Sequence, residues 1–366
     1  MAPGLAYGLV WAGFLAYLAV LVTAPRLGSR VVWGLIAVFV AAFAVCPVLL
    51  SHDVWSYVDY ARLGVVHGLD PYVYPPEAVP SDPAFADVTW PETTSAYGPL
   101  FTLATYPLAW LGVGAAVAVL KAAAAAAVGL LAILVARVAA WRGVDPLRAA
   151  AFVALNPLVL VHVVGGAHND GLTMLLAIAA VAAALSARWA SAGAALVAAT
   201  AVKTSAAVIA PFALVASLRR GGPAAARLLA GALVAALTIV LGSWLAFGWD
   251  WTHAFTLAGE NQDRTSYMSI PILLSRLTGL DPDPVRAGAL ALYGLAVVFL
   301  LVRTWRGHDW ISAAAWASLG LLLATAWLLP WYLIWALPLA AVSRNRPVRF
   351  LTLALTAYQL GARIPL

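Results

Sequence analysis

The sequence predicts an all-α, polytopic membrane protein with about 11–13 transmembrane helices and a large first external loop carrying interfacial helices. Three observations predict it. Of 366 residues, 64% are hydrophobic and only 10% charged, with a mean hydropathy of +0.93. The apolar residues fall in long continuous runs, many near the roughly 20 residues that cross a hydrocarbon core, rather than in the short alternating strands of a barrel. The charges between those runs are sorted by sign along the chain.

Taken in order, helices are expected over 5–23, 31–50, 114–139, 149–164, 170–187, 189–202, 205–218, 228–247, 285–303, 310–328, 330–343 and 350–361. Residues 5–23 lack a basic leader and read as a retained first helix rather than a cleaved signal. The apolar run 31–50 ends on His52-Asp53, which opens a polar island reaching to about Tyr97. Residues 99–112 are too short to span and, with Phe101, Tyr106 and Trp110, read as an interfacial helix. The whole chain, 1–366, forms one integral membrane domain. Residues 51–113 make an external loop with interfacial helices, and 248–284 a second external loop with a short non-spanning hairpin at 270–280. Pairs of short helices such as 189–202 and 330–343 bring irregular, polar backbone down to substrate depth.

Charge sets the orientation. Arg26, Arg30, Arg137, Arg142, Arg148, Arg188, Arg219, Arg220, Arg227, Arg303, Arg306, Arg344, Arg346 and Arg349 fall on one side, with only Asp145 and Asp309 among them. That side is expected in the cytoplasm, and the 51–97 island outside. The net charge of +6 is therefore topology and not a nucleic-acid footprint. The single cysteine, Cys46, permits no intramolecular disulfide. No phosphate-binding loop, zinc-helix motif or nucleophile-elbow motif occurs.

Polar residues in so apolar a chain call for an explanation. Asp53 stands where a helix meets the outer surface, beside His52, and is the first candidate for chemistry. His168-Asn169-Asp170 falls at an outward helix end at the same level, and also reads as a polar hairpin turn with Asp170 as the N-cap of the following helix. Lys203, between two short helices, reads either as a snorkelling residue or as a charge holding a phosphate with Thr204 and Ser205. Lys121, near the start of its helix, reads as a snorkelling residue. Arg264, on the acidic face, is a phosphate clamp or a salt-bridge partner of Asp263 or Glu260. Trp331 and Tyr332 suit sugar stacking or anchoring at the interface. His52, His168 and Asp170 make only a weak metal-ligand set.

The segments His52-Asp53-Val54-Trp55-Ser56-Tyr57, Gly68-Leu69-Asp70-Pro71-Tyr72, Tyr97-Gly98-Pro99-Leu100-Phe101, His168-Asn169-Asp170, Lys203 and Pro330-Trp331-Tyr332, in that order, carry a resemblance. The chain resembles the actinobacterial polyprenol-phosphomannose-dependent α-1,6-mannosyltransferases of the GT-C superfamily, from about residue 31 to 345. The resemblance implies a GT-C fold and an enzyme of the cell envelope, of lipomannan type. It further implies inverting transfer of mannose from a polyprenyl-phosphate donor to a glycan or glycolipid hydroxyl. The active site would lie on the extracytoplasmic face of a multi-pass cell-membrane protein. Asp53 matches the position of the acidic catalytic residue and would be the general base. Lys203, Arg264 and His168 are expected to hold the donor phosphate. His52, Tyr57, Tyr97, Asn169, Asp170, Gln262, Tyr267, Trp331 and Tyr332 are expected to bind substrate. No metal, cofactor or nucleic acid is expected; the partners are the two substrates and the bilayer. The competing readings are a related transferase with another sugar or linkage, such as arabinose or glucose, and a secondary transporter. The transporter would need midplane charges and matching halves.

Overall fold

The structure, a computed structural model, describes residues 3–260 and 264–362; Gln262 lies outside them. The regular elements are all helical, and no strand occurs among the described residues. α1 (Pro3–Leu27) and α2 (Ser29–Val45) form the first pair. α3 (Asp53–Val65) opens the long polar loop, which closes with α4 (Pro99–Thr105) and a 3-10 turn at Tyr106–Trp110. α5 (Val113–Trp141) is long and followed by α6 (Pro146–Ala154), a π-helical turn at Val159–Val164, and α7 (Asp170–Leu185). α8 (Trp189–Val202) and α9 (Ala210–Arg220) are joined by a 3-10 turn at Thr204–Ile209, and α10 (Gly222–Phe247) follows. α11 (His253–Glu260) and α12 (Ile270–Thr278) are short, whereas α13 (Pro282–Trp305) is long. α14 (Trp310–Ala324), a 3-10 turn at Pro330–Trp335, α15 (Leu337–Val342) and α16 (Arg346–Ala362) complete the chain.

Among the described residues, four helices are long and apolar enough to cross a membrane by themselves: Gly8–Leu27, Val113–Trp141, Gly222–Phe247 and Pro282–Trp305. The shorter apolar helices α2, α7, α8 and α14 pack among them. Where the observed elements differ from expectation, proline is the usual cause. The helix expected over 31–50 stops at Val45, because Pro47 disfavours helical backbone at Cys46, which is extended. Residues 46–52 become an irregular strap, and Asp53 begins a separate helix that periodicity did not reveal. The helix expected over 149–164 breaks at Asn156-Pro157, where Asn156 Oδ1 accepts from the Leu158 N–H at 3.0 Å. The segment expected as a hairpin at 270–280 is the single helix α12, ended by Gly279 in the left-handed conformation (φ 71°).

Basic residues gather at one end. Arg142 donates to the Val342 carbonyl at 2.6 Å and to Asp309 at 2.5 Å. Arg148 donates to the Leu21 carbonyl at 3.0 Å, and Arg219 to that of Trp305. α8, α14 and α16 leave this end, and α9 and α15 return to it, so the short helices stop against a recess at the other end. There the polar loop is pinned by Asp82, which accepts from Arg62 at 2.8 Å and lies 2.7 Å from His67 Nε2. Asp59, buried on α3, faces this pair; burial and Asp82 push its carboxyl up to about 7.

Close backbone approaches fix the recess. The Gly98 N–H donates to the Val202 carbonyl at 3.3 Å, and a Cβ on Gly98 would sit 2.0 Å from the Ala201 oxygen. This docks α4 on the end of α8. α8 and α10 touch just as closely: a Cβ on Gly231 would lie 2.0 Å from the Ala190 oxygen. Gly231→Ala is therefore expected to force the helices apart and cost about 1–3 kcal/mol or more. Gly242→Ala, on the same helix with open space around it, should leave the thermal midpoint in detergent unchanged. Equal midpoints for the two variants would contradict this packing.

Candidate active site

The recess is built from three straps at the ends of short helices. Asp53 sits in the first turn of α3, where the helix dipole favours a carboxylate. Its N–H donates to Ser51 Oγ at 3.4 Å, and Asp53 Oδ2 lies 3.6 Å from His168 Nδ1. Burial pushes the Asp53 carboxyl up to about 6, with Lys203 pulling it down, Asp170 pushing it up, and the Tyr97 and Ser51 hydroxyls stabilising the charge. His168 is fully buried, and burial, reinforced by Lys203, holds its imidazole well below the ordinary range. At neutral pH it is uncharged, able to donate one hydrogen bond but not to serve as a cation.

The centre of the recess is an ion pair. Lys203 follows the last turn of α8 in extended backbone, so its side chain turns back toward α7. Its Nζ lies 2.9 Å from Asp170, whose side chain is completely buried. The Trp335 indole N–H donates to the same carboxylate at 2.6 Å. Lys203 also lies over the Tyr332 and Trp335 rings, at 5.3 and 5.5 Å from their centroids. It points inward and does not snorkel; Asp170 is not the N-cap expected, a position Asn169 takes, but the first residue of α7, its carboxylate engaged by Lys203 and Trp335.

Aromatic rings wall this centre. Trp331 stacks on His168 with centroids 4.1 Å apart, and Tyr332 stacks on Trp335 at the same distance. Tyr57 packs edge-on against Tyr97 at 4.7 Å and Phe101 at 4.8 Å. The Asn169 amide is buried, with neither end hydrogen-bonded among the described residues. Arg264 stacks over Trp90 at 4.8 Å, and its charge is felt at Tyr332.

Two expected residues stand apart. His52 Nδ1 lies 3.2 Å from the Asp87 carbonyl, on the exposed side of the loop. Tyr267 is 61% exposed and pairs with Arg276, not with the recess. Among the described residues no group of three or more His, Cys, Asp or Glu side chains is placed to hold a metal ion.

Beside Lys203 a cavity of about 700 Å³ runs down between α8, α9 and α10, lined by Leu196, Leu214, Leu228 and Ile239 among other apolar residues. Its polar head holds Lys203, Thr204, Ser205, Tyr332 and Trp335. The Ser205 hydroxyl there is buried without a partner among the described residues. Such a shape suits an amphiphile: one anionic group at the Lys203 end and a hydrocarbon chain below it. Trp335 escaped the sequence reading, although Trp331 and Trp335 share helical i,i+4 spacing; with 16 Trp in the chain that signal is faint. Trp90, the partner of Arg264, carried no signal at all.

The family model described as "Alpha-(1->6)-mannopyranosyltransferase, N-terminal domain" matches residues 2–219, which include Asp53, His168, Asp170 and Lys203. The chain is 29% identical over 366 aligned positions to a Mycolicibacterium smegmatis protein named probable alpha-(1->6)-mannopyranosyltransferase, covering 82% of this chain and 63% of that one. It is 29% identical over 302 positions to alpha-(1->6)-mannopyranosyltransferase A of Mycobacterium tuberculosis, covering 75% and 58%. The chain thus spans about three fifths of the length of these curated relatives. No solved structure matches.

Proposed function

The chain belongs to the alpha-(1->6)-mannopyranosyltransferase family, and on that premise we propose that it transfers mannose from a polyprenyl-phosphate donor to a glycan or glycolipid hydroxyl, forming an α-1,6 linkage on the outer face of the membrane. The single observation that carries the reading is the meeting of a carboxylate and a cation around one buried His-Asn-Asp turn, with the cation at the head of an apolar cavity. The carboxylate suits a base, the cation suits a phosphate, and the cavity suits a prenyl tail. The basic residues at the opposite end support an outward-facing site.

Chemistry follows from the placement. The acceptor hydroxyl attacks the anomeric carbon from the side opposite the lipid phosphate, so the anomeric configuration inverts. Asp53 takes the hydroxyl proton as the new C–O bond forms. The old C–O bond breaks and its electron pair leaves with the phosphate, which passes from diester to monoester and gains negative charge. Lys203, already fixed by Asp170, and Arg264 stabilise that charge without first having to reorganise. The Ser205 hydroxyl and the neutral His168 ring supply hydrogen bonds. Trp331, Tyr332, Tyr57, Tyr97 and Asn169 offer the stacking faces and amide that a sugar ring requires.

A base must be ionised to work, and burial raises the Asp53 carboxyl to about 6. kcat/KM, which reports groups of the free enzyme, is therefore expected to fall tenfold per pH unit below about 6, as Asp53 takes up a proton, and to level off above it. A rate that stays flat from pH 5 to 8 when chemistry is rate-limiting would remove Asp53 as the base.

A further inference from the structure

One buried cation takes no part in the chemistry above. Lys121 lies two turns into α5, only 5% exposed, and its partners among the described residues are not carboxylates. Its ammonium lies 2.5 Å from the Cys46 carbonyl, 3.1 Å from that of Pro47 and 3.0 Å from that of Gly165. An ammonium has three N–H donors, so all are spent on backbone and none remains for substrate. Snorkelling, the expectation for this residue, is excluded by its direction. A bare charge at this depth in a membrane protein is costly and calls for a purpose.

The three carbonyls belong to two different straps. Cys46 and Pro47 follow the end of α2, where helix carbonyls lack partners, and lead six residues later to Asp53. Gly165 follows the π-helical turn and leads to His168 and Asp170. The straps also touch directly: the Leu49 N–H donates to the Gly165 carbonyl at 3.2 Å. A Cβ on Gly165 would meet Leu49 Cδ1 of the other strap at 2.9 Å and the Val161 oxygen of its own strap at 2.4 Å, so a side chain there would have to displace its surroundings. Each strap contains a non-glycine residue in left-handed backbone, Leu50 at φ 56° and Ala167 at φ 57°. Such conformations persist only when the surroundings dictate them.

We propose that Lys121 is a positioning residue that clamps the two straps together and thereby sets the separation of Asp53 from the His168–Asp170–Lys203 group. The inference rests on the transferase reading of that group. Misplacing reacting groups by about 1 Å can cost on the order of 100-fold in rate. Because Lys121 touches neither the cavity head nor its apolar walls, its loss should act on kcat and spare donor binding.

The test uses the purified full chain with polyprenyl-phosphate mannose, comparing wild type, Asp53→Asn, Lys121→Met, Lys121→Ala and Lys121→Gln. Lys121→Met and Lys121→Ala are expected to lose about 10- to 100-fold in kcat per folded molecule, with donor KM within about threefold of wild type. Lys121→Gln keeps two N–H donors and should fall between, and it serves if the other variants do not fold. Ethylammonium should restore kcat of Lys121→Ala in a saturable manner, whereas tetramethylammonium, with no N–H, should not. Wild-type kcat in a folded Lys121 variant, or a folded inactive Lys121→Ala without response to ethylammonium, would overturn the inference. Absence of transfer by the wild type itself would instead overturn the transferase reading.

Discussion

Asp53→Asn is expected to lower kcat by a factor of about 10²–10⁴, the usual contribution of a general base. Donor affinity should change little. The amide keeps the shape of the carboxylate and can still accept from the Tyr97 and Ser51 hydroxyls, so the first turn of α3 should survive. Asp53 also sits 3.6 Å from a neutral His168, which does not need the charge for its own burial. The loss should therefore appear in turnover and not in thermal stability. Asp59→Asn provides the contrast. That carboxyl is also buried on α3 and raised to about 7, but it faces Asp82 and His67 in the loop. Its replacement is expected to change kcat less than about threefold, because it removes a poorly solvated acid whose charged neighbours are Asp82, His67 and Arg62 and not the recess.

Lys203→Ala should have two effects that can be separated. The first is structural: Asp170, completely buried, would lose its counter-ion, and breaking such a pair costs about 3–5 kcal/mol. The second is functional: the donor phosphate would lose a fixed cation, for which hydrogen bonds to charged groups of about 1.5–3 kcal/mol imply about 10- to 100-fold in kcat/KM. The double variant Lys203→Met/Asp170→Asn tells them apart. An asparagine can still accept from the Trp335 indole N–H, which now donates at 2.6 Å, and leaves no unpaired charge. Thermal stability should recover much of what the single variant loses, while donor use stays impaired. Recovery of donor kinetics together with stability would reduce Lys203 to a structural partner of Asp170.

Much of this arrangement was legible in the sequence because charges are so rare in it. A lysine in an Ala-Val-Thr setting, or a His-Asn-Asp turn between apolar runs, stands out against a membrane-helix background. The match of levels among Asp53, His168, Asp170 and Lys203 followed from charge-set topology alone. What stayed hidden depends on direction. An Ala-rich helix such as α5 has no apolar phase, so nothing in its sequence says whether Lys121 faces lipid or protein. The 13-residue α3 escaped because it is buried on several sides and mixes Asp59 and Ser56 with Tyr57 and Val58. Tyr267 looked like a loop aromatic near Arg264, yet its partner proved to be Arg276, nine residues on. The end of α2 could have been read from Pro47, but the hydropathy of residues 47–50 masked it.

The most direct test of the account is transfer by the purified, reconstituted chain from radiolabelled polyprenyl-phosphate mannose to an α-mannoside acceptor, with Asp53→Asn in parallel. The expected result is a new α-1,6-linked mannose whose anomeric configuration is opposite to that of the donor, formed by the wild type and reduced at least 100-fold in the variant. A product that retains the donor configuration, or an Asp53→Asn protein that turns over at a rate close to wild type, would contradict it.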